Sequence, residues 1–278
     1  MSGEIFDRAG VSIHPTALIS AGVSIGKGTV IGPWAEVEEN VTLGRDCRLA
    51  AHAIIRSGTI LGDRVRVDSF SVIGGLPQDL HFDPDLNSGV RVGEATVIRE
   101  SVTINRSTLE DGMTEVGREC FLMAGAHVGH DCRVGNHVVL ANVVLLAGHV
   151  SVGDHSFLGG GTGVHQFCRI GESVMLSGNA SISMDIPPYL IAAERNEAIG
   201  INLIGLRRRK IPRVALVELK DAFRDVYSGT NLPVRAAEML KAGRLQTDEA
   251  IHFLEFFAHG RRGFARSRRN WTGPTSDA

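Results

Sequence analysis

Residues 114–182 read as hexads: TEVGRE, CFLMAG, AHVGHD, CRVGNH, VVLANV, VLLAGH, VSVGDH, SFLGGG, TGVHQF, CRIGES, VMLSGN and a closing ASI. The third place is a branched aliphatic every time: Val116, Leu122, Val128, Val134, Leu140, Leu146, Val152, Leu158, Val164, Ile170, Leu176 and Ile182. The first place is small or β-branched, as at Thr114, Cys120, Ala126, Cys132 and Val138, and glycine often follows the aliphatic, as at Gly117, Gly129 and Gly135. A helix repeats every 3.6 residues and a strand every 2, so neither explains a beat of six. A hexapeptide β-helix does. Six of the chain's eleven histidines fall in this run.

The beat extends backwards to residue 11, through Ile13, Ile19, Ile25, Ile31, Val37, Leu43, Leu49, Ile55, Leu61, Val67 and Ile73. Three hexads close one triangular coil, with the aliphatic pointing inward and the small residue near the corner. Each buried aliphatic contributes about 1.5–3 kcal/mol of gross transfer free energy, and chain entropy offsets most of it. The stack is therefore expected to be cooperative. The beat stops after Ile73 and resumes one residue out of phase at Val92, so residues 75–90 read as an extruded loop rich in Pro, Asp and Gly. One beat is missed at Glu110 with the phase kept. About 26 hexads give nearly nine coils spaced by roughly 4.8 Å, a prism about 40 Å tall.

Residues 1–10 read as a loose lead-in, and the β pattern is expected to end at Pro187-Pro188, which cannot continue a ladder. Beyond it, Leu216, Leu219, Phe223, Val226 and Tyr227 form a helical stripe. A second helix is expected over 234–242 before Gly243, and a third from Asp248, after Thr247, to Gly260. The chain thus divides into residues 1–188, a hexapeptide-repeat β-helix with the insertion 75–90, and 189–278, a helical domain with a basic tail. That tail (Arg261, Arg262, Arg266, Arg268, Arg269) reads as a solvated end.

The formal net charge of −2 carries no broad basic field, which argues against nucleic-acid binding. No signal peptide is evident, and no apolar run approaches the roughly 20 residues of a membrane span. A soluble, cytoplasmic protein is expected. Cys47, Cys120, Cys132 and Cys168 all occupy the small-residue place of the hexad, so they read as buried packing residues and not as a metal site.

Because a coil is three hexads long, side chains 18 residues apart stack in one column. His130, Gly148 and Gln166 share a column, Asp131, His149 and Phe167 the next, and Gly129, Ala147 and His165 lie on the other side, with His127 near the same edge. A histidine beside a carboxylate suits a general base, and a backbone N–H at a cleared glycine suits an oxyanion donor. Together they fit acyl transfer from a thioester to a hydroxyl. His137 and His155 stack in an offset column and read as surface residues. A three-histidine zinc site is disfavoured because no two histidines stand in a His-x4-His pair.

The segments Ile98–Ile104, Ala126–Cys132, Ala147–Val150, Val164–Cys168 and Asn202–Arg209 resemble those of the acyl-ACP–UDP-N-acetylglucosamine O-acyltransferases, and the similarity extends over almost the whole chain. The resemblance implies an all-β, left-handed parallel β-helix with a small C-terminal α-helical domain, forming a homotrimer with its active sites between neighbouring prisms. It implies transfer of a 3-hydroxyacyl chain from acyl carrier protein (ACP) to the 3-hydroxyl of UDP-N-acetylglucosamine, the first step of lipid A biosynthesis, with no cofactor or metal. On that pattern His130 is the base, Asp131 its partner and the Gly148 N–H the oxyanion donor. Gln78, Asp79, His81, His127, His149, His165, Gln166, Asn202, Arg208 and Arg209 contact substrate, and Gly178 leaves room for a long acyl chain. Three positions depart from the pattern: His81 stands for Lys, Asn105 for His and Ile204 for an acidic residue. They leave open an N-acyltransferase acting on a 3-amino nucleotide sugar. A non-catalytic structural β-helix is the alternative of another class.

Overall fold

In the computed structural model the described residues are 6–8 and 10–267. Short strands of two to four residues build a three-faced parallel prism. The chain runs from the first face (Phe121–Leu122, Val139–Leu140, Phe157–Leu158, Met175–Leu176) to the second (His127–Val128, Leu145–Leu146, Gly163–Val164, Ser181–Ile182) and then the third (Arg133–Val134, Ser151–Val152, Arg169–Ile170). Both sequence-read positions point inward: Leu122, Leu140, Leu158 and Leu176 form one buried column, and Ala126, Cys132, Val138 and Val144 are buried with them. All four cysteines are free and buried, and Cys132 Sγ donates to Ala147 O on the next coil at 3.1 Å. Burial pushes the Cys132 thiol up to about 12, so it is inert packing.

Strand register shows how the beat was interrupted. His127 pairs with Leu145, 18 residues on, whereas Val72 pairs with Thr103 and Thr103 with His127, at separations of 31 and 24. The first excess is the 75–90 loop. The second is a correction: the missed beat at Glu110 is a further six-residue bulge, between the strands Thr103–Asn105 and Met113–Val116. The two insertions leave the same edge on successive coils and tie together. Ser88 Oγ donates to Ser107 O at 2.6 Å, and Asn87 Nδ2 to Asp111 Oδ1 at 2.7 Å.

The corners need left-handed backbone, and here side chains well beyond Gly, Asn and Asp accept it: Trp34, Phe70, Val143, His149 and Phe167 all have φ between 59° and 67°. A left-handed residue costs roughly 1–2 kcal/mol. Hydrogen bonds to the coils above and below, such as His149 N to His130 O at 2.9 Å and Phe167 N to Gly148 O at 3.1 Å, hold it there.

Three further expectations change. Phe6–Arg8 is no loose lead-in but pairs antiparallel with Val11–Ile13. Pro187 and Pro188 do not end the ladder. They lie in a corner, Tyr189 takes φ 68°, and Leu190–Ala193 rejoins the first face in parallel with Met175–Leu176 before hairpinning to Glu197–Ile201. The basic tail is partly docked, with Arg266–Ser267 pairing in parallel with Glu197–Ala198, while Arg268 and Arg269 lie outside the described residues.

Four α-helices follow among the described residues: α1 (Leu203–Arg208), α2 (Arg213–Ser228), α3 (Leu232–Ala242) and α4 (Asp248–Glu255), the last running into a 3-10 turn at Phe256–Ala258. The expected stripe is the buried face of α2, Asn231 caps α3, and Gly243 closes α3 in left-handed conformation at φ 61°. The short α1 has too few residues for a legible period.

Truncating one link of an inner column leaves a cavity that its rigid neighbours cannot fill. Leu140→Ala is expected to cost about 2–5 kcal/mol, read as a lower denaturant midpoint. A loss near that of a surface substitution would show that the coils collapse around the void.

Candidate active site

The edge between the second and third faces carries Asp131, His149 and Phe167 in one column, all in left-handed corner conformation. Stacking at coil spacing brings their rings together. His149 lies on Phe167 with centroids 4.6 Å apart and planes 12° off parallel, and His130 meets the edge of His149 at 5.0 Å.

His130 Nδ1 is 2.7 Å from Asp131 Oδ2. The Asp131 side chain is almost buried, at 6% exposure. Burial pushes its carboxyl up, but hydrogen bonds from Ser107, Thr108 and His130 outweigh this and hold it below the ordinary carboxylate range. An ionised Asp131 only accepts, so His130 Nδ1 donates to it, and in the neutral ring the lone pair is left on Nε2. That nitrogen lies directly over Gly148, where an added Cβ would stand 2.4 Å from Nε2. Gly148 has no left-handed φ. It is glycine for room and not for backbone conformation.

The Gly148 N–H follows from the hexad as well. Residues at the same place, Arg45, Arg118 and Asn136, donate their N–H to the side chains of Asp63, Asn136 and Asp154 one coil on. At Gly148 the next coil supplies Gln166, which is exposed, and no such bond forms. Among the described residues the Gly148 N–H has no acceptor, which leaves it available to an oxyanion.

His127 stands on the second face, its Nδ1 2.8 Å from Thr103 Oγ1. Burial, and then the neighbouring His130, depress its pKa. Burial likewise lowers His149, against the pull of Asp131, whose Oδ2 is 3.7 Å from His149 Nε2. His127 and His165 line an open groove of about 700 Å³ with Gln78, Leu145, Gly163, Ser181 and Arg195. Loop 75–90 thus reaches the same face. Asp79 Oδ1 accepts from His81 N at 2.9 Å, while the His81 side chain is almost fully exposed. His165 Nδ1 is contacted by Arg262 Nη2. The same Nδ1 lies 3.2 Å from Gln166 O.

The remaining expected residues lie on other edges. Asn202 and Arg209 belong to the edge between the third and first faces, where Asn202 Nδ2 donates to Ser173 O at 3.0 Å and Arg209 pairs with Glu172 at 2.5 Å. Arg208 closes α1 nearby. Gly178 is on the edge between the first and second faces, where an added Cβ would lie 3.3 Å from Gly160 O. Of the departures, Ile204 is exposed and Asn105 is buried, holding the base of the loop through Leu76 O at 2.9 Å. His137 and His155 stack at 4.6 Å on the Asn202 edge. Sequence reasoning missed Ser107, Thr108, Thr103 and Arg262. The signal for the first two was the interrupted beat at 109–113, which places a hydroxyl pair one coil below Asp131.

His130, Asp131 and His149 offer three ligand atoms within 4.8 Å of one another. The Asp131 oxygens already accept from Ser107, Thr108 and His130, so the donor set is spent on its own hydrogen bonds.

Residues 185–265 match the family described as Udp N-acetylglucosamine O-acyltransferase, domain 2, and residues 113–148 match the bacterial transferase hexapeptide family. The chain is 38% identical over 256 residues to an acyl-[acyl-carrier-protein]–UDP-N-acetylglucosamine O-acyltransferase of Thermodesulfovibrio yellowstonii, covering 91% of this chain and 99% of that one. Among solved structures, LpxA from Acinetobacter baumannii superposes with a TM-score of 0.88 at 32% identity, covering 91% of this chain and 99% of that one. The UDP-N-acetylglucosamine acyltransferase from Campylobacter jejuni gives 0.87 at 35%, covering 92% and 100%. The prism is a left-handed parallel β-helix with a small helical domain, and the chain belongs to the acyl-ACP–UDP-N-acetylglucosamine O-acyltransferase family.

Proposed function

We propose that this chain transfers a 3-hydroxyacyl group from acyl carrier protein to the 3-hydroxyl of UDP-N-acetylglucosamine, opening lipid A biosynthesis. The observation that carries the mechanism is the placement of the free His130 Nε2 over Gly148, with Nδ1 held by Asp131. Nε2 takes the proton of the sugar hydroxyl as its oxygen attacks the thioester carbonyl carbon. The carbonyl oxygen becomes an oxyanion and accepts from the Gly148 N–H. Collapse expels the carrier thiolate, which recovers the proton from His130. Asp131 stabilises the imidazolium formed between these steps.

Substrate is assigned by position. Gln78, Asp79, His127, His149, His165 and Gln166 surround the His130 edge and hold the sugar and the acyl head, with His81 beside them. Asn202, Arg208 and Arg209 take the nucleotide, Arg suiting its phosphates. They stand on a different edge of the same prism, which supports a homotrimer whose clefts join the His130 edge of one copy to the nucleotide edge of its neighbour. A row of outward apolar residues on the first face (Val97, Phe121, Val139, Phe157 and Met175) offers a surface for that packing. The prism, continued through Leu190–Ala193, is then the transfer body and the helices beyond it the nucleotide side. No helix among the described residues is long and apolar enough to cross a membrane, and a reaction fed by acyl carrier protein belongs in the cytoplasm.

His130→Ala is expected to abolish acyl transfer with the fold and assembly intact, and near-normal turnover in it would sink the mechanism. Gly148→Ala places a methyl against the His130 ring and is expected to lower kcat about 10²–10³-fold, with melting temperature as the control. Assaying UDP-N-acetylglucosamine beside its 3-amino analogue, across acyl lengths, tests ester against amide formation. The bare Gly178 predicts a preference for longer chains, and Gly178→Met, whose Cβ already crowds Gly160 O, is expected to shorten it.

A further inference from the structure

We infer that Ser107 and Thr108 are positioning residues for the reaction at His130: the bulge between Asn105 and Met113 exists to grip the Asp131 carboxylate and to couple it to loop 75–90. The inference rests on the reading of His130 as the general base.

Asp131 has one fixed backbone setting, with its N–H on Thr114 Oγ1 at 2.8 Å. Its two oxygens are then met from one side. Oδ1 accepts from the Ser107 hydroxyl and from Thr108 N at 3.2 Å. Oδ2 accepts from Thr108 Oγ1 at 2.6 Å, opposite the 2.7 Å bond to His130 Nδ1. Ser107 Oγ itself accepts from Leu109 N at 3.1 Å, which turns its own proton toward Asp131. His149 Nε2 approaches Oδ2 only at 3.7 Å. Without the two hydroxyls the carboxylate could rotate between the two histidines. With them, Oδ2 stays on His130.

Ser107 also receives the loop, together with Arg106 and Asp111 of the same bulge. Ser107 and Ser88 are both buried, and Ser88 Oγ donates to Ser107 O at 2.6 Å. Ser107 N donates to Gly89 O at 3.3 Å, and Asp111 N to Asn87 O at 2.7 Å. Arg106 holds the loop through Pro84 O at 2.5 Å and lies 5.2 Å over the Phe82 ring. The segment carrying Gln78 and Asp79 therefore returns to the prism on the backbone that grips Asp131. Placement of the loop and orientation of the base share one support.

Ionisable groups facing Asp131 are His130 on its own coil and His149 on the next; Asp79 from the loop acts on both histidines, and His127 stands beside His130 on the face. Donors to a carboxylate lower its affinity for a proton, and they weaken its pull on the His130 proton. Their removal makes the Asp131–His130 pair more basic, so a higher pH is needed to free Nε2.

The test is the pH profile of kcat/KM for the intact enzyme with acyl carrier protein and UDP-N-acetylglucosamine. In Ser107→Ala/Thr108→Val the acid limb is expected to move up by about one pH unit, with kcat lower by about 10-fold or more and KM for the nucleotide sugar little changed. Thr108→Ser keeps the hydroxyl and is expected to keep the parental limb. Ser88→Ala, which cuts the strut but leaves the clamp, is expected to raise KM with the limb in place. An unmoved limb in the double variant at parental melting temperature overturns the inference, as does an equal shift in Thr108→Ser and Thr108→Val. If His130→Ala also retained turnover, the general-base reading would fail, whereas an inactive His130→Ala beside an unmoved limb rejects the clamp alone.

Discussion

The hydrogen-bonded ladder between successive coils is the constraint on which everything else depends. Away from the two insertions, each short strand bonds to the strands 18 residues before and after it, as Leu145 with His127 and with Gly163. Two residues of strand cannot stand alone, so every coil needs both neighbours and register cannot drift by one residue without turning the aliphatics outward. This stack fixes the inner columns of Leu and Val. It also supports left-handed corners at residues that would otherwise avoid them.

The site is a consequence of that stacking. Coils are roughly 4.8 Å apart, and the His130 ring, turned onto Asp131, lies over residue 148, where an added Cβ would stand 2.4 Å from Nε2, so that place is cleared as glycine. The cleared place leaves a backbone N–H to which the coil beyond offers no acceptor. General base and oxyanion donor thus arise from one column. The carboxylate comes from the adjacent column, turned toward His130 by the same left-handed corner that lets the chain change face.

What the repeat does not supply comes from its interruptions. Both insertions leave the prism at the edge that carries His130, one coil apart, and pair with each other through Ser88, Ser107, Asn87 and Asp111. A regular coil offers no hydroxyl below Asp131, and the bulge does. The loop of Gln78 and Asp79 is anchored by Asn105 and Arg106, residues that a search for substrate contacts would assign elsewhere.

By itself the sequence determined the hexad, the buried columns, the 75–90 loop and the gathering of His130, Gly148, Gln166, Asp131 and His149 on one edge, because periodicity is a local property and columns follow from it by counting. Bond directions are not local. Only the tertiary structure decided that Asp131 takes Nδ1 of His130, that Ser107 and Thr108 hold Asp131, that Arg262 reaches His165, and that Asn202 and Arg209 stand on a different edge. Each joins segments whose meeting depends on where irregular chain returns to the stack, and no period encodes that.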